Sequence, residues 1–255
     1  MHDSPDFFAS CARFAGFGHF SCEMKRILKT LFLLCVFGVA AGCSAAWDYH
    51  ADPSLPNSDY ALNSAFRTGE PLSLLITVKQ AEDGSAYLYY NDQYRFRYSE
   101  PFVRQFRAMS VMQITSLADE QGYCGCNLIY LEALDEGDMT YDASVPGSDG
   151  LDIKDVWVTS VSDGYLTIQY DTWWGEHPVK HDFHLVAGLD PDNPYSLELR
   201  HDAHSDPHSV QSEGIVCFDI NDLPDTQGET RLITLNYRTI SGDSAKMTFV
   251  FKTRQ

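Results

Sequence analysis

The sequence predicts an all-β protein in two parts, a small five-strand barrel followed by an antiparallel β-sandwich of about seven strands. Three observations predict it. Apolar and polar residues alternate with period two through most of the chain beyond Glu70. Turn-forming pairs separate those runs, and almost no stretch carries the period of an amphipathic helix.

The first half gives the barrel. Leu72, Leu74, Ile76 and Val78 share one strand face, with Ser73, Thr77 and Lys79 opposite. Glu82-Asp83-Gly84 turns into Ala86-Tyr-Leu-Tyr-Tyr90, and Asn91-Asp92 turns again into Tyr94-Arg-Phe-Arg-Tyr98. Past Pro101, strands are expected near Ala108–Ser116 and Asn127–Leu131. Five short strands suffice for a closed or half-closed barrel, and an OB-like arrangement is the natural candidate over residues 61–140. Acidic residues, Pro146, Gly147 and Gly150 then interrupt the pattern, so residues 141–152 read as a linker. Residues 153–255 make the sandwich, with strands near Val156–Ser162, Tyr165–Trp174, Val179–Ala187, Tyr195–His201, Gly214–Ile220, Arg231–Thr239 and Lys246–Thr253. Asp163-Gly164 supplies a tight hairpin between the first two.

Ahead of the barrel lies an export signal. Met24-Lys25-Arg26-Ile27-Leu28-Lys29 is a basic start, and Leu31–Ala40 is an apolar run too short to span a bilayer. It ends in Ala40-Ala41-Gly42 before Cys43, the pattern of a bacterial lipoprotein signal over residues 24–42 with Cys43 as the lipidated residue. More than one acyl chain on Cys43 would hold the protein at a membrane, and residues 43–60, polar and carrying Pro53 and Pro56, would be its tether. Residues 1–23 precede a complete signal and contain Asp3, Asp6 and Glu23, so translation is expected to start at Met24.

Charge narrows the partners. A formal net charge of −18 repels phosphate backbones, so nucleic-acid binding is not expected. After processing, Cys124, Cys126 and Cys217 remain, an odd number that rules out a fully paired disulfide scaffold. Cys124-Gly125-Cys126 lacks the further ligands that a zinc site needs.

Histidines are the most suggestive feature. His177, His181 and His184 lie on one stretch, and His201, His204 and His208 on another. Strand alternation puts His181 with Val179, Phe183 and Leu185 and turns His184 to the other face, so these two cannot share a metal. His201 follows Leu197 and Leu199 on an apolar face, which marks a hydrogen-bonded core histidine. His204 and His208, with Asp202 and Asp206, are the better metal candidates, although neither zinc nor calcium spacing is met. No metal or other cofactor is therefore expected. In the barrel, Tyr94, Phe96 and Tyr98 alternate with Arg95 and Arg97, which separates a packed aromatic face from a solvated one. Trp173 and Trp174 are the candidates for stacking a ligand, one on each face of their strand.

No nucleophile elbow, phosphate-binding glycine loop, zinc-protease helix or dinucleotide fingerprint occurs. The chain resembles the NigD-like lipoproteins of Bacteroidetes in the signal, the barrel and Tyr165-Leu-Thr-Ile-Gln-Tyr170, Phe183-His-Leu-Val186, Leu197-Glu-Leu-Arg-His-Asp202, Gly214-Ile-Val-Cys-Phe-Asp-Ile220 and Ile233-Thr-Leu-Asn-Tyr237. The resemblance implies an amino-terminal OB domain, a carboxy-terminal β-sandwich and no catalytic residue. Its family name derives from association with a bacteriocin gene cluster, which implies a secretion or immunity role as one alternative. The expected function is that of a lipid-anchored envelope protein, of the outer membrane, that binds or organises an envelope protein or a glycan without catalysis. A hydrolase or metal-dependent enzyme built on the His201–His208 loop is the competing reading, and it requires His204, His208 and a carboxylate to meet in one cleft.

Overall fold

A computed structural model describes residues 69–253. The expectations for the leader, for Cys43 and for the tether fall outside the described residues. All regular structure among them is β, in fourteen strands.

The first five strands close a barrel in the order β1-β2-β3-β5-β4: β1 (Leu72–Gln80), β2 (Ala86–Tyr89), β3 (Arg95–Arg97), β4 (Phe106–Ser116) and β5 (Tyr123–Ala133). All pairs are antiparallel except β3 with β5. Leu74, Ile76, Val78, Leu88, Phe96 and Met112 fill the interior, as the alternation predicts. The opposite face of β1 is not solvated: Thr77 is fully buried, because Arg107, its register partner on β4, lies beneath the second domain.

The second domain is one nine-stranded sheet curled over its own core. Its strands are β6 (Asp135–Thr140), β7 (Asp152–Ile153), β8 (Ser160–Ser162), β9 (Tyr165–Trp174), β10 (Asp182–Val186), β11 (Ser196–Asp202), β12 (Val210–Asp219), β13 (Arg231–Arg238) and β14 (Ser244–Phe251). They run in the order β14-β13-β11-β10-β6-β12-β9-β7, with β8 also on β9. Leu166, Ile168, Leu185, Leu197, Phe218 and Leu235 from both halves of the curl share the core.

Three differences from expectation matter. The sheet is mixed rather than antiparallel throughout, since β6 runs parallel to both β10 and β12 and β11 runs parallel to β13. Asp135–Thr140 therefore belongs to the second sheet, not to the barrel. Its acidic residues disguise it: Asp135, Glu136 and Asp138 are exposed, while neighbouring strands supply the pairing. Residues 141–152 are no free linker either. Arg200 Nη1 donates to the carbonyls of Ala143 and Val145, both at 2.7 Å, and Leu151 is buried.

Gly137 shows how tightly β6 is held. A Cβ there would lie 2.4 Å from the buried ring of Phe218 and 2.8 Å from the Phe183 carbonyl oxygen. Neither atom sits on a flexible side-chain tip. Gly137→Ala is expected to cost about 1–3 kcal/mol in urea unfolding through overpacking; an unchanged midpoint would mean that the strand shifts freely.

Polar groups join the two domains. Leu134 N–H, at the start of the crossing, donates to the Arg107 carbonyl at 2.9 Å. The Arg107 guanidinium donates to Thr77 Oγ1 at 2.8 Å and to Ser162 Oγ of β8. Lys79 Nζ binds Asp163 Oδ1 at 2.6 Å, and Gln105 Nε2 donates to the Tyr165 hydroxyl at 3.1 Å. The Asp163-Gly164 hairpin, both residues at positive φ (55° and 77°), aims the Asp163 carboxylate at the barrel.

Candidate functional site

Because β6 is short, β10 and β12 are joined through it only from Asp135 onward, and their amino-terminal ends stand apart without a strand between them. A cavity of about 170 Å³ opens at that split. Its walls are Tyr170, Trp174, His181, Phe183 and Val216, and its rim is Asp135, Glu136, Asp138, Lys180, Asp182 and His184.

Each wall residue has a local reason for its place. Tyr170 and Trp174 are on the inward face of β9, two and six residues beyond Ile168 on the same side of the alternation. Gly214, the register partner of Tyr170 on β12, leaves the space that the phenol occupies; a Cβ there would lie 2.5 Å from the Tyr170 hydroxyl. Tyr170 and Phe183 pack ring against ring at 5.0 Å. Burial first, and then the charge of Asp135, raise the Tyr170 phenol above its ordinary range, so it stays protonated.

Behind the walls runs a buried chain of polar groups. Asp206 Oδ2 accepts from Gly175 N–H at 2.9 Å and lies 3.3 Å from His181 Nε2. His181 Nδ1 is 2.9 Å from His201 Nε2. Aromatic rings seal the pair: Trp174 stacks on His181 at 4.0 Å and Phe183 on His201 at 4.8 Å. The backbone bond from Gly175 holds the Asp206 carboxyl below the ordinary range, with His181 adding to it. Burial, then His181, push the His201 imidazole down to about 4. This arrangement resembles the aspartate–histidine half of a hydrolase relay, but it leads from His181 to a second histidine stacked on Phe183, not to a nucleophile.

The four candidate metal ligands are not brought together. Asp206 turns inward to His181, and His204 Nε2 pairs with Asp182 at 2.7 Å on the surface, with Asp202 3.7 Å from its other nitrogen. His208 instead stacks against Trp173 at 5.9 Å. No group of three or more His, Cys, Asp or Glu among the described residues has metal-binding geometry. The two tryptophans do point to opposite faces, Trp174 into the cleft and Trp173 toward His208. Sequence reasoning found His181 and His201 as core residues and missed their link to Asp206. It also missed the cleft, which forms where the acidic run Asp135–Asp138 enters the sheet, one strand away from the strand ending in two tryptophans. The cysteines stay outside the site as free thiols, and burial pushes Cys124 up to about 11 and Cys217 up to about 12.

Fold and site together define a two-domain all-β protein in which an OB-like barrel is docked on a curled sandwich holding an aromatic, acid-rimmed cleft. Residues 133–251 match the family model described as the NigD-like C-terminal beta sandwich domain. Among solved structures, it is similar to one from Parabacteroides distasonis described as a candidate toxin-related protein, at 27% identity and a TM-score of 0.60, covering 72% of this chain and 94% of that one. A NigD-like immunity protein from Bacteroides caccae aligns at 17% identity and a TM-score of 0.53, over 72% of this chain and 98% of the other. A protein from Bacteroides fragilis described as a candidate lipoprotein aligns at 13% identity and a TM-score of 0.51, over 73% and 100%. At these last two identities the likeness is one of fold. No curated protein matches the chain significantly.

Proposed function

We propose that this protein is a cell-envelope protein, anchored by lipid on Cys43, that works without catalysis as a rigid platform for a partner in the envelope. The observation that carries the reading is the docking of the two domains. Arg107 and Lys79 of the barrel bond to Ser162 and Asp163 of the sandwich, with Arg107 and its partner Thr77 buried at the junction, which keeps the two surfaces in one fixed relation. A fixed relation serves recognition by two surfaces at once, because less ordering is left to be lost on binding. The matched family model and the lipoprotein and immunity descriptions of its neighbours support an envelope setting.

The experiment is crosslinking of the full lipidated chain in intact cells, followed by purification and mass spectrometry, beside a Cys43→Ala variant. The expected result is lipid on Cys43, loss of membrane association in the variant, and one reproducible partner lost when either domain is deleted. A chain without lipid overturns the anchoring, and turnover of glycan or peptide by the purified protein overturns the non-catalytic role. A partner that is a small exported toxin would specify the role as immunity, the description carried by the Bacteroides caccae neighbour.

A further inference from the structure

We infer that the outer face of the barrel over β2, β3 and β5 is a binding site for an acidic saccharide, a sugar ring that carries a carboxylate. The inference rests on the binding role proposed above and names a chemical class that the platform would take.

Strand pairing makes the site. Along β3 the alternation sends Phe96 into the barrel and turns Arg95 and Arg97 outward, away from the aromatic residues beside them in sequence. The register then returns aromatic rings to the arginines from the neighbouring strands: Tyr87 of β2 is opposite Arg97, and Tyr123 of β5 is opposite Arg95. The contacts run diagonally. The Arg95 guanidinium lies 5.9 Å from the centre of the Tyr87 ring and that of Arg97 lies 5.1 Å from the centre of the Tyr123 ring, while the two rings meet edge to face at 6.0 Å. Three strands and one two-residue step cover about 10 Å by about 7 Å, the area of a sugar ring or two.

Charge selects the ligand. The chain as a whole has a formal net charge of −18, yet this face presents two arginines and only one carboxylate paired to them. Arg97 Nη2 holds Asp119 Oδ2 at 2.7 Å, an exposed pair that a ligand displaces at little cost. Arg95 makes no ion pair among the described residues, and its Nε is closed off from solvent without a hydrogen-bond acceptor. That orphaned donor is the independent sign of a ligand. A buried N–H left unpaired is costly, and a carboxylate that meets the Nε and Nη edge of the guanidinium, once the side chain turns to it, satisfies two donors at once. Contact with the tyrosine rings holds both guanidinium groups in place beforehand, so less ordering is left to be lost on binding. A bare carboxylate would use the arginines and leave the tyrosines idle, whereas a sugar adds C–H groups for the rings and hydroxyls for the phenols. A polynucleotide would bring its run of phosphates against the acidic remainder of the protein.

The test titrates the full chain with digalacturonic acid and with N-acetylneuraminic acid, read by calorimetry and by saturation transfer from protein to sugar protons in NMR. Methyl-esterified digalacturonic acid, acetate and a thymidine octanucleotide are the controls. Saturable binding of at least one acidic sugar is expected, about tenfold tighter than the ester or acetate and weakened as salt rises. Arg95→Met is expected to weaken it about tenfold, and Tyr123→Leu severalfold. Asp119→Asn is expected to tighten it severalfold: the amide oxygen still accepts from the Gln121 and Tyr123 N–H groups that shape the turn, while Arg97 loses its competing carboxylate. A gain of that kind does not come from damage to the fold, and circular dichroism controls for folding in the other two variants. No saturation, equal affinity for the ester or for acetate, tighter binding of the octanucleotide, indifference to Arg95→Met, or no gain in Asp119→Asn overturns the inference. If the unaltered chain binds neither sugar yet still captures its crosslinked partner, the platform role stands and only this site falls.

Discussion

Replacing Arg107 with methionine is expected to destabilise the protein by about 3–5 kcal/mol, the cost of breaking one side of a buried charged network. Arg107 is 2% exposed, and burial pulls its guanidinium down to about 10 against the opposing pull of Asp163, so it remains charged at neutral pH. Methionine fills much of the volume but bonds to neither Thr77 nor Ser162, and it leaves the buried Asp163 carboxylate with Lys79 as its cation at 2.6 Å. The companion variant is Asp163→Asn, because asparagine tolerates the left-handed backbone, φ 55°, on which the hairpin turns. Urea unfolding of the two single variants and the double one forms a cycle, and the double is expected to lose less than the two singles together. A transition that splits in two in Arg107→Met would show that this junction makes the domains unfold as one. A loss below about 1 kcal/mol, the range of a surface pair, would mean that the junction is held by its apolar contacts alone.

How much of this was readable beforehand depends on whether the physics is local. Period-two alternation places β9 at Tyr165–Trp174, as found, and the Asp-Gly pair marks the hairpin before it, because strand pleating and turn dihedrals depend on adjacent residues. His181 and His201 read as core for the same reason. β6 is invisible by that test: Asp135-Glu136-Gly137-Asp138 has poor strand propensity, and it becomes a strand because β10 and β12, distant in sequence, offer hydrogen bonds on both sides. Arg107 looks like one more solvated arginine after Arg104, and only docking of β8 against the barrel buries it. The cleft follows from β6, since it is the gap that so short a strand leaves. A reader of the sequence who misses β6 misses the site.

Acidification tests the buried histidine chain. The ordinary histidine value is 6.5, and in the folded protein burial and the neighbouring His181 lower His201 to about 4. Between those values the unfolded chain takes up a proton at residue 201 that the folded chain refuses. The stability from the neutral imidazole is thus complete above about pH 6.5 and is lost as pH falls toward 4. A displacement of about 2.5 pH units corresponds to about 3 kcal/mol at full effect. Urea unfolding at pH 7, 5.5 and 4 is expected to show this fall, with Asp206 and Asp182, also held below the ordinary carboxyl range, adding to it toward the acid end. His201→Gln separates the contributions. Glutamine offers His181 an amide in place of the ring nitrogen at 2.9 Å but has no proton to gain, so its stability should decline less steeply by about the histidine's share. The variant also gives up the stack on Phe183, which lowers its stability at pH 7 and brings the two curves together in acid. Parallel curves would mean that His201 is hydrated in solution and that the chain from Asp206 through His181 ends in water instead of in the core.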